Sequence, residues 1–317
     1  MIYRLLLRRA ALNLLLLALL SVVVFAGGHA LPGDPVVARL GPTASPDQID
    51  AARAALGLDQ PALTRYGEWA FGLMQGQWGH SITGTPVADM LAERMGNSLL
   101  LAGLAMVFLV PASLVLGVLA ARYRNSGTDR GISATALVLV SIPEFLTATG
   151  LIAVFAIAWP LFPAVSLIPA GSSPLQHPAA LVLPVATLFL VGLAYATRVI
   201  RANSVAAYQS RSVEYMRLTG AREKRILRTA VLPAVLPTAI QVWLLTGVAL
   251  VGGAVLVERV FSYPGIGDTL VQATVTGDLP VVQALTLLLA AVMLAALTLG
   301  DIAVLLMTPR LRTGLVT

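Results

Sequence analysis

The side chains that could do chemistry are few, and their spacing excludes most of it. The chain has one lysine, Lys224, and Glu223 stands before it, so no Gly-Lys pair exists to close a phosphate cradle. His29, His80 and His177 fall in separate segments without the spacing of metal ligands. With no cysteine, neither a disulfide framework nor thiolate metal chemistry is available. No Ser-His-Asp set or carboxylate pair is spaced for catalysis. The expectation is therefore a protein that is not an enzyme and holds no cofactor of its own. Three acids remain within or beside apolar runs: Glu144 next to Pro143, Glu258, and Asp301. Such acids are costly in a bilayer and need a role or a partner. Asp301 is within reach of Arg310 or Arg312 and reads as a structural pair near one end of its run. Glu144 reads as outward-tilted or cavity-facing rather than as a proton relay.

The elements that must position these residues are apolar throughout. Of 317 residues, 57% are hydrophobic and only 11% charged, with a mean hydropathy of +0.85, whereas soluble domains carry about 25% charged residues. The chain reads as an all-α integral membrane protein, so its net charge of +6 points to lipid headgroups and not to nucleic acid. Six apolar runs each suffice to span a bilayer: 5–26, 98–121, 132–159, 179–199, 234–257 and 281–307. The first, led by Arg4, Arg8 and Arg9 and followed by Gly27-Gly28-His29-Ala30, is read as a retained span and not a cleaved signal. Six spans leave both termini on one side. The termini and the loops after spans two and four hold Arg4, Arg8, Arg9, Arg122, Arg124, Arg130, Arg198, Arg201, the six cations of 211–233, Arg310 and Arg312, 16 of the 21. The other side holds only Arg39, Arg53, Arg65, Arg94 and Arg259. The positive-inside bias puts both termini in the cytoplasm.

Pro111, Pro143 and Pro184 interrupt spans two, three and four, as bent helices along a pathway would, or as membrane helices commonly tolerate. Gly252-Gly253-Ala254 permits a close helix approach in span five. The division expected is residues 1–30 as N-terminus and first span, 31–96 as an extracytoplasmic segment, and 97–317 as a five-helix core with a cytoplasmic loop at 201–233. In the outer segment, Ser45-Pro46-Asp47 opens a helix that Gly57 stops, and a second helix runs from Pro61 to Met74 with Leu63, Tyr66, Ala70 and Leu73 on one face. Trp69, Phe71 and Trp78 suit a membrane interface. The segment is either a solvated cap or a platform for an external partner. Between spans five and six, ERVFSYPGIGD (Glu258 to Asp268) holds the turn pair Pro264-Gly265, with Gly265 and Gly267 relaxing the backbone of a tight re-entrant element around Phe261.

The stretch RSVEYMRLTGAREKRILRTAVLP, Arg211 to Pro233, gathers six of the 21 Lys and Arg. Attraction to anionic headgroups accounts for the charge. The remaining pattern is a short helix from Glu214 to Thr219, a turn with positive φ at Gly220, and helical spacing resumed from Arg222 to Leu232 through Ile226 and Ala230. Pro233 and Pro237 are expected to redirect it into span five.

Taken in order, these residues resemble the permease subunits of ATP-binding-cassette importers of the dipeptide/oligopeptide/nickel family, B-type. The resemblance is carried by LPGDPV (Leu31 to Val36), LGLDQP (Leu56 to Pro61), Tyr66, GQWGHS (Gly76 to Ser81), ERVFSYPGIG (Glu258 to Gly267), DLPVVQ (Asp278 to Gln283), and Asp301 with TPRLR (Thr308 to Arg312). It implies a type I importer permease fold in the bacterial plasma membrane and a heterodimer with a second permease. It also implies two separate ATPase subunits that bind the ATP, and an extracytoplasmic solute-binding protein docking near 27–96. Its cargo would be short peptides, or alternatively nickel or metal chelates; an uncoupled channel or ion-coupled carrier is the rival from another class. The family's ATPase-coupling loop would fall here on Glu214, Tyr215, Thr219, Gly220, Ala221 and Arg222, with Glu258, Phe261, Pro264, Gly265 and Gly267 forming an outer gate or turn. From Tyr215 to Leu236-Pro237 the stretch runs about four residues short of the family pattern, roughly one helical turn, which preserves the face presented.

Overall fold

The computed structural model describes residues 2–30, 45–47, 60–169 and 171–307, and nearly all of them are helical. In chain order the helices are α1 (Ile2–Ala30), α2 (Ala62–Met74), α3 (Val87–Arg122), α4 (Gly127–Ser141) and α5 (Glu144–Ile152), which continues as a π-helical stretch, Ala153–Ala158. Next come α6 (Pro178–Tyr208), α7 (Arg211–Leu218), α8 (Glu223–Ile226), a second π-helical stretch (Leu227–Val231), α9 (Leu232–Phe261), α10 (Ile266–Thr276) and α11 (Leu279–Met307). Among the described residues there is no strand, only an isolated bridge between His80 and Pro86.

Among the described residues, five stretches are long and apolar enough to cross a membrane: Leu7–Gly27, Val87–Arg122, Pro178–Tyr208, Glu223–Phe261 and Leu279–Gly300. The expected third span is instead two helices, α4 and α5, bent by 103° at Pro143. Ile142 and Pro143 are both extended, with ψ of 124° and 145°, because proline disfavours a helical residue before it. Glu144 then opens α5, an acid in the first turn of a new helix. The other two prolines do not break their helices. Pro184 cannot donate to the carbonyl of Ala180, and the Ser166 hydroxyl donates to that carbonyl instead, at 2.6 Å. α3 likewise runs through Pro111. It begins well before the apolar run, because Val87–Asn97 is a good helix-former whose apolar side, Val87 and Leu91, is buried.

The described residues cluster into two units, Met1–Asn97 with Pro264–Leu294, and Ser98–Tyr263 with Ala295–Thr317. In the first, Phe25 of α1 meets Tyr66 and Trp69 of α2 at ring distances of 5.5 and 5.4 Å, and Ser21 Oγ and Tyr66 Oη share a hydrogen bond of 2.8 Å. Trp69 therefore packs on a helix, while Leu63, expected on the same face as Tyr66, is exposed. Val87 and Leu91 pack with Ile266, Ala273, Val281 and Leu285. Asp278 accepts from the Ser81 hydroxyl and from the Ile82 amide at 3.1 Å, which joins the GQWGHS loop to the start of α11. Of the helix expected from Ser45, only Ser45–Asp47 are among the described residues; Leu31–Val36 lie outside them, as does most of the LGLDQP stretch.

The second unit holds the core of α3, α5, α6 and α9, around Leu101, Leu109, Leu188, Leu250 and Val257. Gly117 permits contact between α3 and α6: a Cβ there would lie 2.7 Å from Ile200 Cγ2. Gly253 permits a different approach from the helix contact expected of it, admitting the Glu144 carboxylate of α5. Beside Arg122, Asn125 adopts φ 66° and its amide donates to Asp129 Oδ2 at 2.9 Å. Arg201 of α6 donates to the same buried carboxylate through Nε at 2.5 Å and through a second nitrogen at 2.8 Å.

Candidate functional site

The basic stretch forms a hairpin of two helical pieces about one glycine. Ser210 caps α7, its hydroxyl accepting from the Val213 amide at 3.4 Å. The helix closes on Gly220, whose φ is 75°. The Gly220 amide donates to the Arg217 carbonyl at 3.0 Å and the Ala221 amide to the Met216 carbonyl at 2.9 Å. These two crossed bonds define a Schellman closure, which needs a left-handed residue where Gly220 stands. The Thr219 hydroxyl donates to the carbonyls of Tyr215 and Met216, at 3.2 and 3.0 Å.

Two residues pin the hairpin to the rest of the unit. Val213 and Ile226 are fully buried, in a cluster with Val118, Ile200, Tyr208, Val231 and Val235. Ala221 packs against that cluster from the turn. Arg217 spans the two halves, lying 6.0 Å over the Tyr208 ring while its Nε donates to Glu223 at 3.1 Å. Both partners are substantially exposed, so this pair orients more than it stabilises. Glu214 and Arg222 are left exposed, as are Tyr215 and Leu218, at 69% and 82%. The six residues indicated by the sequence thus divide: Glu214, Tyr215 and Arg222 are presented outward, and Thr219, Gly220 and Ala221 shape the turn.

The sequence pattern did not single out Val213 or Leu218. An apolar residue one turn from Glu214, on the opposite side from the buried Val213, is the signal that could have found Leu218. The expected redirection at Pro233 and Pro237 does not occur. The helix runs on from Glu223 to Phe261, and the π-helical stretch at Leu227–Val231 precedes the proline that cannot donate.

At the other end of α9, Glu258 is fully buried and accepts from the Ser98 hydroxyl at 2.6 Å. The chain leaves the helix through Ser262 with φ 49°, the amides of Ser262 and Tyr263 donating to the carbonyls of Arg259 and Glu258 at 3.3 and 2.8 Å. The left-handed position expected of a glycine is therefore filled by serine. Gly265 is extended, with ψ −175°, and Gly267 lies inside α10. Beyond Pro264 the chain forms a helix of 11 residues and not a tight turn alone. Phe261 and Tyr263 are fully buried, and the Ser166 amide donates to the Phe261 carbonyl at 2.7 Å. Burial, and next the charge of Glu258, push the Tyr263 phenol above its ordinary range. The Asn97 side chain donates to the Pro264 carbonyl at 2.8 Å. The Asp301 side chain and Arg310 lie outside the described residues.

Comparison with known proteins matches residues 113–313 to the binding-protein-dependent transport system inner membrane component family, and residues 1–98 to the N-terminal region of such membrane components. A candidate peptide transport system permease protein of Brucella melitensis biotype 1 is 33% identical over 313 residues, covering 98% of this chain and 99% of that protein. The metal-staphylopine import system permease protein CntB of Staphylococcus aureus is 29% identical, with 98% and 99% covered. The methionine transporter MetNI, solved in inward-facing conformations, shares the fold at a TM-score of 0.59 and 21% identity, covering 70% of this chain and 98% of its own. An amino acid ABC transporter solved with histidines aligns at 0.50 and 15%, covering 68% and 92%. With its apolar helices, the chain is a multi-pass protein of the bacterial inner membrane and a subunit of a transporter. It belongs to the family of binding-protein-dependent transport system inner membrane components.

Proposed function

We propose that the chain forms half of the transmembrane pathway of an importer for short peptides. A second permease completes the pathway, two separate subunits bind and hydrolyse ATP, and an extracytoplasmic solute-binding protein delivers cargo. The chain contributes no nucleotide site and no catalysis. The Brucella relative, named for peptide transport and aligned over nearly the full length, supports the cargo. The observation that carries the coupling role is the hairpin at Arg211–Val231: anchored by Val213 and Ile226, it leaves Tyr215 and Leu218 uncovered beside Glu214. An anchored helix with exposed apolar side chains is a lever that a groove on another subunit can grip. The staphylopine relative, equally co-linear, favours metal-chelate import as the second reading.

The test is assembly. Leu218→Asp should weaken retention of the ATPase subunits on the purified permease pair about thirtyfold, as loss of one interfacial anchor worth about 2 kcal/mol does. Unchanged retention, with uptake at wild-type rate, would remove the hairpin from the coupling interface. ATP-independent uptake would favour a channel or carrier instead.

The same reading has six spans, with α4 and α5 as one broken span and both termini in the cytoplasm. Thr128 and Gln176, both exposed, then lie on opposite sides of the membrane. Single cysteines there should respond oppositely to an impermeant maleimide added outside intact cells: position 176 labels and 128 does not. The reverse pattern would invert the topology.

A further inference from the structure

Glu144 opens α5 directly after the break at Pro143, and it lines a cleft of about 330 Å³ between α5, α6 and α9. Val191, Gly192, Tyr195, Ala249 and Leu250 give the cleft largely apolar walls, and among the described residues no Lys or Arg lines it. The carboxylate lies over Gly253, where a Cβ would stand 2.7 and 2.9 Å from its two oxygens. Glu144 Oε2 is buried and, among the described residues, has no hydrogen-bond partner. Thr246, lining the same cleft and only 4% exposed, has a hydroxyl in the same condition. Two unsatisfied polar groups at one apolar cleft are costly unless something fills it that donates. A carboxylate among apolar walls calls for a cation, and the described residues supply none here.

We propose that Glu144, with Thr246, is a cargo-recognition site on the translocation path, taking a primary ammonium group. Given the peptide-import reading above, on which this rests, the ammonium is the free amino terminus of a short peptide. A single carboxylate and a hydroxyl can hold it, while the apolar walls accept side chains without regard to type. One charge contact is also weak enough to release cargo onward, as a transit site requires. Gly253 has a part in this. With its Cβ absent, the carboxylate rests against the α9 backbone at the edge of the residues that line the cleft; a methyl there must push it aside, which the flexible end of Glu144 allows without harm to the fold.

The experiment uses the complete complex of two permeases and two ATPase subunits, purified without the solute-binding protein. Its thermal unfolding is followed with trialanine or with N-acetyl-trialanine added. Wild type should be stabilised by trialanine and not by the acetylated peptide. Glu144→Gln should abolish that difference, and Gly253→Ala should reduce it while Glu144 is still present. In proteoliposomes with the solute-binding protein saturated, Glu144→Gln should slow maximal trialanine uptake about tenfold or more, the worth of one charge-assisted hydrogen bond. A Glu144→Gln complex that still distinguishes the two peptides would overturn the proposal. So would one whose permeases separate on gel filtration, since that would place a partner subunit's cation on Glu144. If wild type itself neither binds nor imports trialanine, the peptide reading fails and takes this site with it, an outcome told apart by needing no variant.

Discussion

Gly220→Val is expected to leave the permease inserted at normal abundance and to cut cargo-stimulated ATP hydrolysis and uptake by about thirtyfold. At φ 75° a β-branched side chain is a steric outlier, costing about 1–2 kcal/mol or more. Nothing lies within 4 Å of the position a Cβ would take, so the cost is backbone strain alone and not a clash with the core. The spans have no reason to unfold. The Schellman closure gives way instead, through the bonds from Gly220 to Arg217 and from Ala221 to Met216. Without them α7 remains a helix, anchored at Val213, but its Tyr215 and Leu218 no longer hold a fixed angle to α8. A docking equilibrium weakened by about 2 kcal/mol loses roughly thirtyfold in affinity. Gly220→Asn is the matching control, because asparagine visits the left-handed region readily and should retain most of the uptake. Wild-type uptake by Gly220→Val at normal abundance would refute the coupling role of the turn and leave headgroup attraction as the purpose of the basic charge.

The helices of this chain were legible because apolar runs of bilayer length have few other solutions. Their ends were less so. Val87–Asn97 carries Asp89, Glu93 and Arg94, and a scan for continuous apolarity stops at Ser98 although helical propensity and an apolar stripe continue outward. The Gly220 turn could be read locally, since a positive-φ closure after a short helix has a sequence signature. Its counterpart at Ser262 could not, because serine there carries no such mark. Prolines showed the limit most clearly. Pro143 and Pro184 look alike in sequence, yet one bends the chain by 103° and the other sits in a continuous helix. At Pro184 the freed carbonyl is served by Ser166, 14 residues away, a contact that nothing near the proline announces. The polar pairs obey the same rule: Arg201–Asp129, Ser98–Glu258 and Ser81–Asp278 are separated by 72, 160 and 197 residues, so no motif spacing announces them. Arg201 counts among the topogenic cations by charge, but its guanidinium also has a partner 72 residues back.

That pair yields the second large effect. Asp129 is 3% exposed and accepts from Arg201 twice, from the Asn125 amide at 2.9 Å and from the Ser133 hydroxyl at 3.3 Å. One carboxylate therefore fixes the left-handed turn at Asn125, the first turns of α4 and the flank of α6. Removing one member of a buried ion pair costs roughly 3–5 kcal/mol, mostly because the remaining charge is left unpaired. The Arg201 side chain keeps 29% exposure, so water can recover part of that loss. Asp129→Ala should therefore destabilise the chain by about 3 kcal/mol, at the low end of that range. Arg201→Leu strands the more deeply buried partner and should cost at least as much. The double variant Asp129→Leu/Arg201→Leu removes both charges, and should be less destabilised than the sum of the singles, by about 1–3 kcal/mol of coupling. Unfolding of the purified chain in mixed micelles, followed by tryptophan fluorescence, would measure all three. Singles that each cost under about 0.5 kcal/mol, or that add without coupling, would show the pair to behave as a surface contact, and the turn at Asn125 would then owe its shape to the Ser126 cap alone.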